Sequence, residues 1–389
     1  MTGRTGRRDF GWVRKLPSGR FQASYLGPDG LRRNAPKTYE RKQDATRWLS
    51  LVESEIAKGG WRDPAAGEER LVDYAERWIR ERAGLRPRTV EQYRYQLRRY
   101  VTPHLGQLRL VELDDRPAVI RSWRSALLDR GVSASGAAKG YRLLRAMLMT
   151  AVDDGTIRRN PCRIKGAGTE TPDERPTLTA RQVAELARRV PPRYSAMVLL
   201  TTYASLRFGE AAALRRSDLD LVAGVVRIER SYSEMATGAL MVGPPKSRAG
   251  DRAVGLPAPL LPLLAAHLAE FVGPAGDALV FTGARGGPLR RSTFNGLVRW
   301  KEATAAVGLP GLHFHDLRHT GNHLAAQVPG TTVRDLMARM GHDNERAAMI
   351  YLHRTQGADR RIADALPVEL GDDPDDDDGS AGALVPAGH

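Results

Sequence analysis

Six side chains in the second half of the chain are of types that can act on a phosphate: Arg207, Lys246, His315, Arg318, His342 and Tyr351. Two guanidinium forks suit the non-bridging oxygens of one phosphate and the extra charge of its transition state. A phenol, with a pKa near 10, is a weak nucleophile at neutral pH, and neighbouring cations and an imidazole help it lose its proton. Attack by such a phenol on a phosphodiester leaves a phosphotyrosine, which keeps the bond energy until a hydroxyl attacks in reverse. Neither metal nor nucleotide is required. The leaving 5′ oxygen needs a proton, which Arg cannot readily give and Lys can. Of the eight lysines, Lys246 alone lies between Lys165 and Lys301, in the turn-rich stretch GPPKSRAGDR.

The local patterns bear on how these groups could meet. LLTTYASLRFGEAAALRRSDLDL reads as a buried helix, a break near Ser205 and a second helix, with Glu210 three residues past Arg207 and able to orient it. In LHFHDLRHTGNHLAA, His315 and Arg318 fall at i, i+3 of a helix and share a face. His342 and Tyr351 are nine residues apart, which on one unbroken helix puts them on opposite faces. Gly341 and the cap-like Asp343-Asn344 predict instead that His342 precedes a new helix with Tyr351 near its end. Taken singly, each residue has a blander reading: Tyr351 as a core tyrosine, His342 as a cap, His315 and Arg318 as a structural pair. The ordered set argues against these. A metal site is the sharper rival, since His313, His315, His319 and His323 are dense. Against it, Asp316 adjoins the second histidine instead of the third, no second carboxylate cluster exists, and Arg318 would repel a cation. No metal and no cofactor is expected.

The formal net charge of +15 over 389 residues, despite the acidic stretch GDDPDDDDGS, points to a polyanionic partner, although an Arg-rich codon bias gives a similar excess. Cys162 is the lone cysteine, which excludes an internal disulfide and any multi-cysteine zinc module. No apolar run reaches the roughly 18 residues of a membrane span, and the basic start has no apolar stretch behind it. A cytoplasmic protein that does not engage membranes is expected.

The pattern divides at residues 1–66, 67–165, a linker over 166–176, 177–366, and an acidic tail over 367–389 expected to be disordered. The first part predicts three short strands (about 10–15, 20–26 and 31–38) and a helix from about 41 to 58. Arg32, Arg33 and Lys37 near that sheet could enter a DNA groove. The second part is helical, with Pro103 expected to stop the helix that begins at Arg88-Thr89; Arg94, Arg98, Lys139 and Arg142 on its polar faces are candidate phosphate contacts. The third mixes helices with a strand-rich patch at about 223–256. The fold class expected is multidomain and mainly α with small β-sheets (α+β).

The motifs S-L-R-F-G-E, H-D-L-R-H-T, G-H at 341–342 and Tyr351 resemble, in order and spacing, those of the tyrosine recombinases of the phage-integrase type. HFHDLRHTGNHLAA and RAAMIYLH are similar to integrases of actinobacterial phages and integrative elements. The resemblance implies an arm-binding sheet domain, a helical core-binding (SAM-like) domain and a mixed α/β catalytic domain. It implies a clamp around double-stranded DNA at attachment sites, four protomers on two sites, and an excisionase or host DNA-bending protein as helper in a bacterial host's nucleoid. Tyr351 would form a 3′-phosphotyrosyl link; Arg207, Arg318, His315 and His342 would hold the phosphate; Lys246 would protonate the leaving oxygen. Where the family usually has Gly, this chain has Ser205, which is tolerable if the turn does not need positive φ. Ile362, Ala365 and Leu366 form an apolar stripe that could dock on a neighbouring protomer or on its own chain. Rival functions are a chromosome-dimer-resolving or transposon recombinase, a type IB topoisomerase, and a non-catalytic DNA-binding regulator.

Overall fold

The computed structural model describes residues 10–61, 63, 66–170, 175–341 and 343. By its contacts the chain parts into two compact units, one reaching residue 173 and including 235–237, the other made of the rest. Among the described residues no helix is long and apolar enough to cross a membrane.

The first unit opens with an antiparallel sheet, β1 (Trp12–Lys15), β2 (Phe21–Leu26) and β3 (Arg32–Asn34), with β2 central. Its turns carry Gly19 and Gly30 at φ of 79° and 76°, a region open to glycine at little cost. Period-2 alternation sends Ala23 and Tyr25 onto Ala45 and Leu49 of α1 (Lys42–Ala57). The register Trp12↔Ser24↔Asn34 puts Trp12, Arg14, Gln22, Arg32 and Asn34 on the other face, which no element covers among the described residues.

The helices that follow are α2 (Leu71–Glu81), α3 (Pro87–Gln96), α4 (Thr102–Leu105), α5 (Leu110–Asp115), α6 (Ala118–Asp129) and α7 (Ala134–Asp153). They enclose a second core around Trp78, Trp123, Leu144 and Met147. Pro103 does not stop the helix as expected. A π-helical turn over Leu97–Val101 precedes it, and Pro103 sits in the first turn of α4, where its missing N–H costs little.

The second unit begins with α8 (Ala180–Arg189), capped by Thr179, whose side chain accepts from the Gln182 N–H. There follow α9 (Pro192–Tyr203), α10 (Phe208–Ala212), β4 (Leu219–Asp220), β5 (Val225–Ile228), β6 (Ser231–Glu234), β7 (Leu240–Gly243) and β8 (Arg252–Gly255). The strands form one antiparallel sheet in the order β4-β5-β8 and a β6–β7 hairpin. The unit continues with α11 (Leu261–Phe271), α12 (Arg291–Leu297), α13 (Trp300–Ala306), α14 (Phe314–Ala326) and α15 (Val333–Met340). Helices α9 and α14 pack so closely that a Cβ on Gly321 would stand 1.8 Å from the Thr202 carbonyl oxygen. That approach fixes the distance between the two segments carrying Arg207 and Arg318.

Candidate active site

Arg207 is the residue before α10, with extended backbone. Its N–H donates to Glu210 Oε2 (3.0 Å) and its Nη1 to Glu210 Oε1 (2.6 Å), so a carboxylate three residues on sets the direction of the guanidinium. Its Nη2 donates to the Gly341 carbonyl (3.2 Å). Arg318, 3% exposed on α14, donates from Nη1 to the Ser205 carbonyl and from Nη2 to the Met340 carbonyl. Two arginines 111 residues apart in sequence thus converge on the two carbonyls that end α15, directly ahead of His342 in the chain.

Aromatic packing holds the segments together. The ring of Phe208, next to Arg207, meets that of Phe314, next to His315, edge to face at 5.2 Å, and Phe294 packs on both. His315 is partly buried and meets His319 at 5.0 Å. Burial first, then the charges of His319, Arg318, Arg291 and Arg207, push its pKa down to about 4. At neutral pH it is therefore an uncharged imidazole among guanidiniums. Burial pushes the Glu210 carboxyl up, but the charges of Arg252 and Arg207 and the Arg207 hydrogen bonds outweigh it and hold the group below the usual range.

The turn between α9 and α10 departs from the sequence expectation. Ser205 has φ of 52°, so the position does need the left-handed conformation that glycine adopts freely. Its hydroxyl is buried with no partner among the described residues.

Lys246 is exposed and lies in the turn region between β7 and β8. Its neighbours lie against the site: Ser247 Oγ donates to the Gly341 carbonyl (2.9 Å) and the Ala249 N–H to Asp343 Oδ1 (2.9 Å). Gly341 itself is left-handed at φ of 63°, and a Cβ there would lie 2.8 Å from the Ala249 carbonyl oxygen. His342 and Tyr351 lie outside the described residues, as do Ile362, Ala365 and Leu366.

Of the histidines weighed as metal ligands, His313 starts α14 beside Asp316, and His323 faces Gln327 at 2.9 Å. Among the described residues no group of three or more His, Cys, Asp or Glu side chains is placed to hold a metal ion.

The candidate DNA contacts divide. Arg32 lies on the open sheet face, stacked over Trp12 at 4.7 Å and donating to Ser24 Oγ (3.0 Å). Arg33 is on the opposite face, bound to Asp29 and Asp63 and stacked over Trp61, so its place among groove contacts is not supported. Lys37 is exposed beside the Tyr39 ring, and Arg98 is exposed. Arg94 pairs with Glu76, while Lys139 and Arg142 share Glu170, whose carboxyl is lowered to about 2 by hydrogen bonds from Ser135 and then Arg142. Sequence reading missed Arg14 and Gln22 on the open face, Arg291 near His315, and Arg252 beneath Glu210. Only the sheet pair carried a signal, the period-2 alternation.

Residues 9–58 match the model of the phage integrase N-terminal domain, 70–128 that of the phage integrase N-terminal SAM-like domain, and 176–357 that of the phage integrase family. A phiRv2 prophage protein of Mycobacterium tuberculosis, described as an integrase, is 38% identical over 378 residues, covering 94% of this chain and 97% of the relative. The integrase of Mycobacterium phage L5 is 33% identical over 92% of this chain and 98% of its own. In fold, the chain resembles the Tn1549 transposon integrase solved with a circular intermediate DNA (TM-score 0.67, 19% identity, 77% of this chain and 100% of that one). It also resembles a lambda integrase dimer bound to a core site (TM-score 0.53, 18% identity, 94% of this chain and 100% of that one). With the Arg207 and Arg318 guanidiniums gathered at the end of α15, and relatives matching almost end to end, the chain belongs to the phage integrase family of tyrosine recombinases, enzymes that cut and rejoin DNA at specific sites.

Proposed function

We propose that this chain integrates, and with a helper excises, a phage or mobile element in the bacterial cytoplasm, using Tyr351 as nucleophile. The tyrosyl oxygen attacks the scissile phosphorus, the bond to the 5′ oxygen breaks, and a 3′-phosphotyrosyl link and a 5′ hydroxyl result. Arg207, Arg318 and His342 hold and neutralise the phosphate. Lys246 supplies the proton of the leaving oxygen. His315, neutral in the free protein with a pKa near 4, becomes more basic once an anionic phosphate offsets the surrounding cations, which suits it to take up the phenol proton. The observation that carries this reading is the convergence of the Arg207 and Arg318 side chains on the Gly341 and Met340 carbonyls.

In the same reading, residues 1–66 bind arm-type sites, 67–165 and 177–366 grip the core site, and four protomers exchange strands through a four-way junction. The open sheet face supports the first assignment: Arg14, held on Gln22 at 3.0 Å, and Arg32, stacked on Trp12, present planar donors of the kind that read guanine edges. A nicked attachment-site duplex, from which the cut fragment diffuses away, tests the chemistry. An SDS-resistant protein–DNA adduct should form in EDTA. No adduct, or one that needs a divalent metal, would contradict the proposal.

A further inference from the structure

We propose that Arg252 is a positioning residue, whose buried guanidinium shares one acceptor with Arg207 and another with Arg318 and so fixes where both point. The inference rests on the reading of Arg207 and Arg318 as the pair that holds the scissile phosphate.

Arg252 opens β8, and its side chain is 5% exposed. Its donors reach three separate stretches of chain. Nη2 donates to Glu210 Oε2 (3.2 Å) and the Ser205 carbonyl (3.3 Å), Nε to the Arg339 carbonyl (2.9 Å), and Nη1 to the Gly250 carbonyl (3.0 Å). Glu210 offers its other oxygen to Arg207, and the Ser205 carbonyl also accepts from Arg318. The Arg339 carbonyl lies on the last turn of α15, ahead of the Met340 and Gly341 carbonyls that take Arg318 and Arg207. Every acceptor of Arg252 outside its own turn therefore either holds one of the phosphate-facing arginines or belongs to the turn that does.

A rigid planar fork can meet acceptors in several directions at once, and an ammonium on a flexible stem does so poorly. Buried as it is, Arg252 cannot itself touch DNA in this arrangement. Its charge also matters: Glu210 is shared between Arg207 and Arg252, so it cannot neutralise both, and positive charge remains for an anion. Burial lowers the pKa of Arg252 and Glu210 opposes this, as expected for a cation held by one half-shared carboxylate.

The test compares two nicked duplexes, one with the natural scissile phosphate and one with a methylphosphonate there, which has no charge for guanidiniums to neutralise. Adduct formation is timed for wild type, Arg252→Gln and Arg252→Lys, with Arg207→Ala as reference. Misplacing the phosphate-holding pair should slow Arg252→Gln about 100-fold on the phosphate while DNA affinity changes by less than about threefold. On the methylphosphonate the slowing should shrink to below about tenfold, because the lost charge neutralisation is no longer needed. Arg252→Lys should fall between wild type and Arg252→Gln. Both duplexes are cut by the same preparation, so any loss of folded protein cancels in the ratio of the two rates. Equal slowing on both duplexes would assign Arg252 a purely structural role and overturn the proposal, as would wild-type rates in both variants. A wild-type rate for Arg207→Ala would instead overturn the reading of the phosphate-holding pair, whatever Arg252 does.

Discussion

Arg33 in the N-terminal module and Arg318 in the second unit are both well-shielded arginines with their donors engaged, yet their partners differ in kind. Arg33 lies between two carboxylates, Asp29 at 2.7 Å and Asp63 at 2.7 Å, with its guanidinium over the Trp61 ring. These bonds raise its pKa and hold Asp29 down to about 2, so the cluster carries no spare positive charge. The partners of Arg318 seen among the described residues are the carbonyls of Ser205 and Met340, which orient a guanidinium without cancelling its charge. Carboxylates make an arginine structural, whereas carbonyls leave it charged for an incoming anion. Burial alone does not separate the two cases; the identity of the acceptors does.

The largest expected effect follows from that contrast. Arg318→Ala should slow adduct formation about 1000-fold, as loss of a donor aimed at developing charge does elsewhere. Arg33→Ala should lower the melting midpoint of the N-terminal module and leave adduct formation on a core-site duplex unchanged. Equal losses in the two variants would break the comparison. Next, Gly321→Ala should destabilise the second unit by about 3 kcal/mol in denaturant unfolding, since its Cβ would fall 1.8 Å from the Thr202 carbonyl oxygen. An undiminished midpoint would mean that the α9–α14 approach does not set the arginine spacing.

The uncharged state of His315 sharpens the comparison further. Its pKa is lowered from 6.5 to about 4, so at intermediate pH the unfolded chain binds a proton that the folded chain refuses. Its contribution to stability is full above about pH 6.5 and is lost as pH falls towards 4. Relative to wild type, His315→Gln should gain about 2 kcal/mol between pH 7.5 and pH 5, read from unfolding midpoints. The same pH dependence in both proteins would show that His315 is not buried among cations. The smallest effect belongs to Ser205→Gly, which removes a left-handed serine and a buried hydroxyl that has no partner among the described residues, and should stabilise the unit by about 1 kcal/mol. A loss of stability there would imply a partner for the Ser205 hydroxyl.

What was legible in the sequence was local. The Arg207–Glu210 spacing predicts the ion pair found at 2.6 Å, and i, i+3 spacing puts His315 and Arg318 on one helix. The alternation in 10–38 predicts the sheet, and its strands fall where expected to within a few residues. What was not legible depends on distant partners. Arg33 looked like a groove contact because Asp63 lies 30 residues away. Arg252 gave no sign, because its acceptors come from the Ser205 turn, Glu210 and α15. Pro103 was misjudged because a π turn ahead of it absorbs the backbone conflict, a choice no residue type announces.

The most direct test of the account is the site of covalent attachment. Wild-type protein and Tyr351→Phe are each incubated with nicked attachment-site DNA in EDTA, denatured, and the adducts digested for mass spectrometry. The account predicts that wild type carries a nucleotide remnant on Tyr351, and that Tyr351→Phe binds the duplex normally but yields no adduct. An adduct in Tyr351→Phe at the wild-type level, or a remnant mapped to any other residue, would contradict it.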